Sequence, residues 1–148
     1  MSENINPNDF LLRTFTTNDY PEVLSLWELT GLGGEHRGDN LEIIQKTLEA
    51  GGIFFILEYL PKNKIIGTAW ITNDMRRLYL HHFGIHPDFQ GKGLSHILAK
   101  ACVEFGKKLN LQMKLEVHKN NIIAKRLYEK YLFKFLGDYE IFIIRQYT

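Results

Sequence analysis

The stretch Gln90-Gly91-Lys92-Gly93-Leu94-Ser95 marks the change from a strand pattern to a helix pattern in the middle of this chain. Before it lies the apolar run Leu78 to Ile85, and after it apolar residues recur with the spacing of a helix face up to Phe105. A turn at the start of a helix presents backbone N–H groups that have no intrahelical partner. The two glycines let a ligand approach the backbone closely, so the stretch predicts a phosphate-binding loop.

Apolar periodicity on both sides of the loop predicts an α/β sheet with helices packed on it. The strand at 78–85, the helix after the loop and a strand at 113–117 form a crossover, which implies two parallel neighbours in a mixed sheet. Ligands of such sheets bind beyond the carboxyl ends of the parallel strands, where the loop lies. The other predicted strands are 10–15, 53–59, 65–72, 133–135 and 139–144, and the other predicted helices begin near 17, 40 and 121.

Composition excludes several classes of protein. The 148 residues fit a single domain, 1–148, and the net charge of +1 argues against a dedicated nucleic-acid binder. The longest apolar stretch, 53–60, is too short to span a bilayer and the start lacks a secretory signal, so we expect no membrane association. The single cysteine, Cys102, fits a cytoplasmic protein and a core position on the long helix. No histidine or cysteine spacing predicts a metal site.

By itself, the glycine pair leaves three interpretations open. A dinucleotide site needs a third glycine three residues later, where this chain has His96, and an acidic residue after the next strand, where it has His118. A Walker loop needs the pattern GxxxxGK[ST], which the chain lacks. The third interpretation is a helix start that binds nothing.

Two spaced motifs favour a phosphate site. The pattern Gln90-x-x-Gly93-x-Ser95 is followed, after the next predicted strand, by Asn121-x-x-Ala124-x-x-Leu127-Tyr128. Together with Phe83-Gly84-Ile85-His86-Pro87 and the later Phe133, these motifs resemble the GNAT superfamily of acetyl-CoA-dependent N-acetyltransferases over most of the chain. The resemblance implies an α/β (α+β) fold, a mixed sheet of about seven strands with four helices, whose parallel strands splay around the CoA site.

The resemblance also implies an enzyme, an acyltransferase that moves the acetyl group of acetyl-CoA to a primary amine by direct attack in a ternary complex. The amine would belong to a small molecule or to a peptide N-terminus, and no metal would take part. The alternative is a catalytically silent CoA-binding sensor or regulatory module, because CoA binding alone does not require turnover. Another acyl group, an O-linked acceptor and a homodimer stay open.

The family's site residues correspond to this chain motif by motif. The loop from Gln90 to Ser95 would hold the CoA pyrophosphate, chiefly through backbone N–H groups, and Lys92 belongs to this set. Phe83 and Ile85 would pair through their backbones with the pantetheine amides. Asn121 would hydrogen-bond the pantetheine arm, and Tyr128, two helical turns later on the same face, would protonate the leaving thiolate. Spacing alone favours a core aromatic at Tyr128, and the family resemblance is what implies the acid role.

Two residues depart from the family pattern. Ser95 stands where the family has glycine or alanine, and its small hydroxyl is compatible with phosphate. Leu132 stands where the family favours glycine at a left-handed helix end, a conformation that costs leucine about 1 kcal/mol or more. We therefore expect the last helix to end in another way.

The base that takes the proton of the amine is the least determined element of the site. His81 and His82 are adjacent on the strand before the loop, and only one of two successive strand residues can face a cleft. Counting back from Gln90, the resemblance implies His81 as the base, because His81 falls where several members of the family keep a base or proton-relay group, while His82, Glu58 on a neighbouring strand and a water molecule are alternatives. The N–H of Ile85 is the simplest donor to the thioester oxygen.

We expect the acceptor to bind between the first two helices and the central strands. That region contains Trp27, the glycine-rich and charged segment 31–39, Trp70 and the pair Arg76-Arg77. Acidic side chains there would attract a cationic amine, whereas arginines would hold a carboxylate or a phosphate. The mixed charges leave the acceptor undetermined, and segment 31–39 is also compatible with a loop that is merely solvated.

Overall fold

The computed structural model describes residues 5–147, and within that range four α-helices and five strands are formed. None of these helices is long and apolar enough to cross a membrane. Short 3₁₀ turns join several of the elements. In chain order the elements are β1 (Phe10–Thr14), α1 (Tyr20–Thr30), α2 (Leu41–Glu49), β2 (Ile53–Tyr59), β3 (Lys64–Asn73), β4 (Arg77–Ile85), α3 (Ser95–Leu109), β5 (Gln112–Leu115) and α4 (Ile122–Lys130).

The five strands lie side by side in chain order, from β1 to β5. Strands β1 to β4 are antiparallel neighbours, and β5 runs parallel to β4 after the crossover through α3. The predicted mixed sheet and its parallel pair are therefore confirmed.

Helices cover both faces of the sheet, because alternate strand side chains point to opposite faces and both sets are apolar. Helices α3 and α4 cover one core, which includes Leu98, Cys102 and Tyr128. Helices α1 and α2 cover the other, which includes Trp27 and Phe54. The prediction that Cys102 is a core residue is confirmed. Burial raises the pKa of its thiol to about 12, so the thiol keeps its proton at neutral pH.

The two strands predicted at 133–135 and 139–144 are not formed, so the expected count of about seven strands is too high. Every residue from Lys134 to Tyr147 is exposed, and β5 is an edge of the sheet. Alternating and β-branched residues create strand propensity, but a strand also needs a partner, and this segment pairs with no strand in the described part of the chain. We call residues 134–147 the arm.

The end of α4 also differs from the expectation. Leu132 adopts the left-handed conformation, with φ of 75°. The N–H of Phe133 donates to the carbonyl of Tyr128 at 3.1 Å and that of Leu132 donates to Glu129 at 3.3 Å, which together define a Schellman motif. The ring of Phe133 packs edge-on against Tyr128, with centroids 5.7 Å apart. The expectation of a different helix end is wrong, because this apolar contact and the two hydrogen bonds offset the backbone cost at Leu132.

Candidate active site

The strands β4 and β5 separate part of the way along their length. They pair only over 77–80 of β4, so residues 81–85 have no strand beside them on that edge within the described residues. The N–H of His86 donates to the carbonyl of Ile66 on β3 at 2.7 Å. Because successive N–H groups of a strand point to opposite edges, the N–H of Ile85 points into the opening. We call this opening the β4–β5 gap.

A bulge in β4 brings two histidines to one face of the sheet. His81 lies opposite Trp70 and Gly84 lies opposite Thr68, so β4 has one residue more than β3 over this stretch. Within the bulge His82 has φ of 46°, and the rings of His82 and His81 lie 5.5 and 5.7 Å from the indole of Trp70. The expectation that only one of the two histidines faces this side is wrong, because alternation fails at a left-handed residue.

His82 forms a close pair with Asp39. Its Nε2 lies 2.8 Å from the Asp39 Oδ2, and each side chain is 15% exposed. Asp39 is available for this contact because Asn40 caps α2, accepting a hydrogen bond from the N–H of Ile43 at 2.9 Å. Gly33 packs against the pair, since a β-carbon there would lie 2.9 Å from the His82 Nε2. The sequence does not predict this pair, because Asp39, just before α2, and His82, on β4, are 43 positions apart and share no local pattern.

Two buried residues of the core under α1, Trp27 and Thr68, hold the backbone of the bulge by a chain of hydrogen bonds. The fully buried Thr68 accepts a hydrogen bond from the Trp27 Nε1 at 3.0 Å. Its own hydroxyl donates to the carbonyl of His82 at 2.7 Å. The ring of Trp27 also meets that of His82 edge-on, with centroids 4.6 Å apart. The position of the imidazole is therefore determined by its ring contacts and by its backbone.

His81 has different partners. Its Nε2 lies 2.9 Å from the Thr72 Oγ1, and its ring stacks on Tyr79 with centroids 5.8 Å apart. Burial lowers the pKa of His81, the neighbouring charge of His82 lowers it further, and Asp39 opposes the shift. The imidazole is therefore neutral at pH 7, with one ring nitrogen engaged by a hydroxyl.

Tyr128 lies on the other face of the sheet, beside the β4–β5 gap. Its side chain is buried and meets the ring of Phe83 edge-on, with centroids 5.6 Å apart. Burial raises the pKa of the phenol to about 12, with a smaller contribution from Cys102. The hydroxyl therefore carries its proton throughout the neutral range and can act as a donor. Spacing alone favours a core role, and the structure shows a buried aromatic next to the gap.

The glycine loop has the geometry that the sequence predicts. Gly91 and Gly93 have φ of 75° and 78°, and among the described residues no atom beyond the adjacent residues lies within 4 Å of a β-carbon built at either position. Within residues 5–147, the N–H groups of Gly91, Gly93, Leu94 and Ser95 donate to no backbone carbonyl. The side chain of Gln90 donates to the carbonyl of Ile85 at 2.9 Å, which joins the loop to the end of β4. The loop thus presents an open row of donors at the start of α3.

Three other predicted site residues have structural contacts. Asn121 caps α4, where its Oδ1 accepts from the N–H of Ala124 at 3.2 Å, so its side-chain oxygen is engaged by the helix start. The ammonium of Lys92 lies over the ring of Phe89, 5.9 Å from its centroid. Glu58 accepts a hydrogen bond from the Arg13 Nε at 3.1 Å, which commits the carboxylate to an ion pair with β1.

A surface cavity of about 440 Å³ opens between α1 and the segment that follows it. Gly33 belongs both to its wall and to the surroundings of the His82 Nε2, so the cavity borders the His82–Asp39 pair. Trp27 and the charged segment line it as expected, whereas Trp70 and the two arginines at 76 and 77 do not. In the part of the chain that the structure describes, no three metal-ligating side chains cluster. The lining residues are Leu24, Trp27, Glu28, Gly31, Gly33, Gly34, Glu35, His36 and Arg37.

Comparisons with known proteins identify the family of this chain. The model of the acetyltransferase (GNAT) family matches residues 20–133. The chain belongs to this family. An acetyltransferase of Photorhabdus laumondii is 28% identical to this GNAT chain over 87 residues, which cover 59% of the chain and 59% of that curated relative. The resemblance drawn from the loop and helix motifs is confirmed.

Solved GNAT-like structures share the fold over nearly the whole chain. An acetyltransferase from Streptococcus agalactiae superposes with a TM-score of 0.73 at 16% identity, covering 94% of this chain and 93% of that one. AAC(6′)-Iy, in complex with the bisubstrate analogue CoA-S-monomethyl-acetylneamine, superposes with a TM-score of 0.71 at 16% identity, covering 93% and 99%. These likenesses confirm the mixed α+β fold of this GNAT member.

Proposed function

We propose that this chain is a cytoplasmic N-acetyltransferase that moves an acetyl group from acetyl-CoA to a primary amine by direct attack in a ternary complex. We propose further that residues 1–148 form one such domain. The observation that carries the proposal is the β4–β5 gap, which has the glycine loop at its end, Tyr128 on one face and the His82–Asp39 pair near the other. Family membership supports the same activity, as does the CoA-containing bisubstrate analogue bound by the solved relative AAC(6′)-Iy.

The loop would bind the pyrophosphate of acetyl-CoA. Backbone N–H groups at the start of a helix attract anions, because they lack carbonyl partners and lie at the positive end of the helix dipole. Gly91 and Gly93 adopt backbone conformations that favour glycine and leave open space above the loop. Along the gap, Phe83 and Ile85 would offer backbone groups to the pantetheine amides, and Asn121 would offer its amide.

Two groups at the gap would stabilise charge as the amine displaces the thiolate. The N–H of Ile85 would donate to the thioester oxygen, where negative charge develops during the attack. Tyr128 would donate its proton to the departing sulfur. The phenol is protonated at working pH because burial raises its pKa to about 12. Tyr128 would therefore assist the departure of the thiolate through its position next to the sulfur, and not through unusual acidity.

The contacts of the two histidines favour His82 over His81 as the base. An amine that binds as an ammonium must lose a proton before its lone pair can attack. The His82 Nε2 is held by Asp39 beside the cavity, which leaves Nδ1 as the nitrogen that would accept the proton, and Asp39 would act as a positioning residue that also stabilises the imidazolium. His81 is bound to Thr72 and is desolvated. Glu58 is the weakest candidate, since it is paired with Arg13.

The cavity beside Gly33 would receive the acceptor. Its wall carries the carboxylates of Glu28 and Glu35, which favour a cationic amine, while the Trp27 ring offers apolar contact. The side chain of Arg37 donates a hydrogen bond to the nearby backbone carbonyl of Leu32 at 2.9 Å. A small amine and a peptide N-terminus both satisfy this environment, so the class of acceptor is the first question for experiment.

The deciding experiment follows free thiol when the protein is mixed with acetyl-CoA and a panel of primary amines and short peptides. We expect thiol release with at least one acceptor, and a fall of about 100-fold in kcat for Tyr128→Phe. A thermal shift with CoA should persist in this variant, because the loop is unchanged. CoA binding without thiol release for any acceptor would support the sensor instead. Absence of CoA binding would contradict both functions.

A further inference from the structure

Leu32 lies on the backbone of β4 at Gly84. Gly84 is opposite Thr68, whose hydroxyl bonds the indole of Trp27, so position 84 faces the α1 side of the sheet. A β-carbon built at Gly84 would lie 2.5 Å from the Leu32 Cδ1, closer than real β-carbons come to another atom. The φ of Gly84 is not positive, so this contact, and not the backbone conformation, is what requires glycine there.

The structure holds Leu32 in this position through both of its backbone polar groups. Its N–H donates to the carbonyl of Trp27 at 3.0 Å, just after α1 ends at the left-handed Gly31. Its carbonyl accepts from the side chain of Arg37 at 2.9 Å. The Leu32 side chain is partly buried and packs against the core under α1 and α2. Folding therefore determines where this side chain meets β4.

Leu32 also lies between the sheet and the cavity beside Gly33. The residues on either side of it, Gly31 and Gly33, line that cavity, whereas Leu32 does not. Its side chain extends instead to Gly84. The isobutyl group thus fills the space that separates the cavity from this part of β4.

The same part of β4 would hold the acyl group in the proposed function, on which this inference rests. The N–H of Ile85, whose nitrogen is bonded to the carbonyl carbon of Gly84, would donate to the thioester oxygen at about 2.9 Å. Tyr128 would meet the sulfur from the opposite face of the sheet. The carbonyl carbon of a thioester is planar. With the oxygen on β4 and the sulfur toward Tyr128, its third substituent, the acyl chain, points to the face on which Leu32 lies.

We infer that Leu32 limits the length of the acyl group, so that the enzyme transfers acetyl and rejects longer acyl groups. An acetyl group ends in one methyl, whereas each added methylene of a propionyl or butyryl group would have to displace the Leu32 side chain from its packed position. A misfit of one methylene in an apolar pocket costs about 10- to 200-fold in kcat/KM.

The reaction is the one proposed above, and the acyl group alone is selected. The amine nitrogen bonds to the acyl carbon as the bond between that carbon and sulfur breaks. The proton of the amine goes to His82, and the sulfur takes the proton of Tyr128 to leave as the thiol of CoA. Leu32 takes no part in these steps, so it is a specificity residue and not a catalytic one.

A comparison of acyl-CoA donors tests this role. Thiol release would be followed with acetyl-, propionyl- and butyryl-CoA and one acceptor amine. In wild type, kcat/KM for acetyl-CoA should exceed that for butyryl-CoA by at least about tenfold, and Leu32→Ala should lower this ratio by at least about tenfold. Leu32→Val should give an intermediate ratio, and it keeps the test valid if the alanine variant does not fold. A wild type that uses both donors equally, or variants that keep the wild-type ratio, would overturn the inference.

The matched control is Leu48→Ala. Leu48 is also partly buried against the core under α1 and α2, but it lines neither the cavity nor the contact with Gly84. This variant should lose stability and keep the wild-type ratio of donors. A reciprocal change comes from Gly84→Ala in the Leu32→Ala background, which returns a methyl group to the emptied space and should restore part of the preference for acetyl-CoA. A ratio that falls equally in Leu48→Ala would show general loosening of the core and contradict the role of Leu32.

Binding separates this inference from the proposed activity, because thermal shifts with acetyl-CoA and butyryl-CoA need neither an acceptor nor turnover. We expect the larger shift with acetyl-CoA in wild type and equal shifts in Leu32→Ala. This pattern without thiol release for any donor and amine would contradict the proposed activity and still support the role of Leu32. Thiol release with a donor ratio that is the same in wild type and in Leu32→Ala would contradict this inference alone.

Discussion

His82 is the residue of β4 whose backbone departs most from strand geometry. It is the one non-glycine residue of that strand with positive φ, a conformation that costs roughly 1–2 kcal/mol. Thr68 and Asp39 hold it there by hydrogen bonds of 2.7 and 2.8 Å. Backbone strain that its surroundings over-determine is commonly found at functional sites. The strained histidine beside the acceptor cavity therefore supports the choice of His82 as the base.

His82→Ala should lower kcat/KM at neutral pH by about 100-fold, because the amine would lose its proton acceptor. Activity should recover in part at high pH, where a growing fraction of the amine is already deprotonated. Asp39→Asn should cause a smaller loss and move the rising limb of the pH–rate profile, since it perturbs the imidazole without removing it. Steady-state kinetics across pH, with a single acceptor, measures all three effects.

The matched control for this prediction is His81→Ala. His81 sits next to His82 but bonds to Thr72, so its loss should change kcat/KM by less than about tenfold and should keep the shape of the pH profile. If His81→Ala removes the pH dependence while His82→Ala retains it, then His81 is the base and His82 is not.

At the scale of the element, the Schellman end of α4 couples helix stability to the candidate active site. Tyr128 supplies the carbonyl that the N–H of Phe133 binds, and its ring packs on Phe133. The same helix begins at the Asn121 cap, so both ends of α4 involve a residue assigned to the site. Leu132 is 76% exposed, so the burial of its side chain does little to offset the cost of its left-handed backbone conformation.

Leu132→Gly should therefore stabilise the protein by about 1 kcal/mol, because glycine adopts positive φ without the steric cost of a Cβ. Urea denaturation at pH 7 measures the change in the free energy of unfolding. Arg126→Gly is the control, since this exposed position lies in the interior of the same helix, where glycine should destabilise by about 1 kcal/mol. A loss of stability in Leu132→Gly would show that the leucine side chain has a packing role.

At the scale of the whole molecule, local sequence patterns predicted those elements whose apolar residues recur with the period of the element and are buried in the structure. The strand at Ile53–Tyr59 and the crossover through α3 follow directly from apolar spacing, and so does the glycine loop. Three features escaped prediction because they depend on contacts between distant residues. The bulge at His82 needs Thr68, the Asp39 contact joins residues 43 positions apart, and the arm lacks the partner that would make it a strand.

A group of ion pairs joins the first strand to the turn before α1 and to β2. Arg13 on β1 donates to both carboxylate oxygens of Asp19, at 2.8 and 2.9 Å, and to Glu58 at 3.1 Å. Asp19 is almost buried and also accepts from the N–H of Thr16 at 2.8 Å. The hydrogen bond from Arg13 holds the pKa of Asp19 below its usual range, against the opposing effect of burial. The ionised form of Asp19 is therefore stabilised by folding.

This shift predicts an acid-dependent loss of stability. A carboxyl whose pKa is lower in the folded state stabilises fully above its unfolded pKa of about 3.9, and that stability is lost as pH falls through the folded value. Asp19→Asn should lower the free energy of unfolding at pH 7 by about 1–3 kcal/mol, with a difference from wild type that shrinks below about pH 4. Glu42→Gln, which removes an exposed ion pair with Lys46, should leave the unfolding free energy within measurement error. Urea titrations at pH 7, 4 and 3 compare the variants, and a difference that stays constant with pH would mean that packing at Asp19, not its charge, holds β1 to α1.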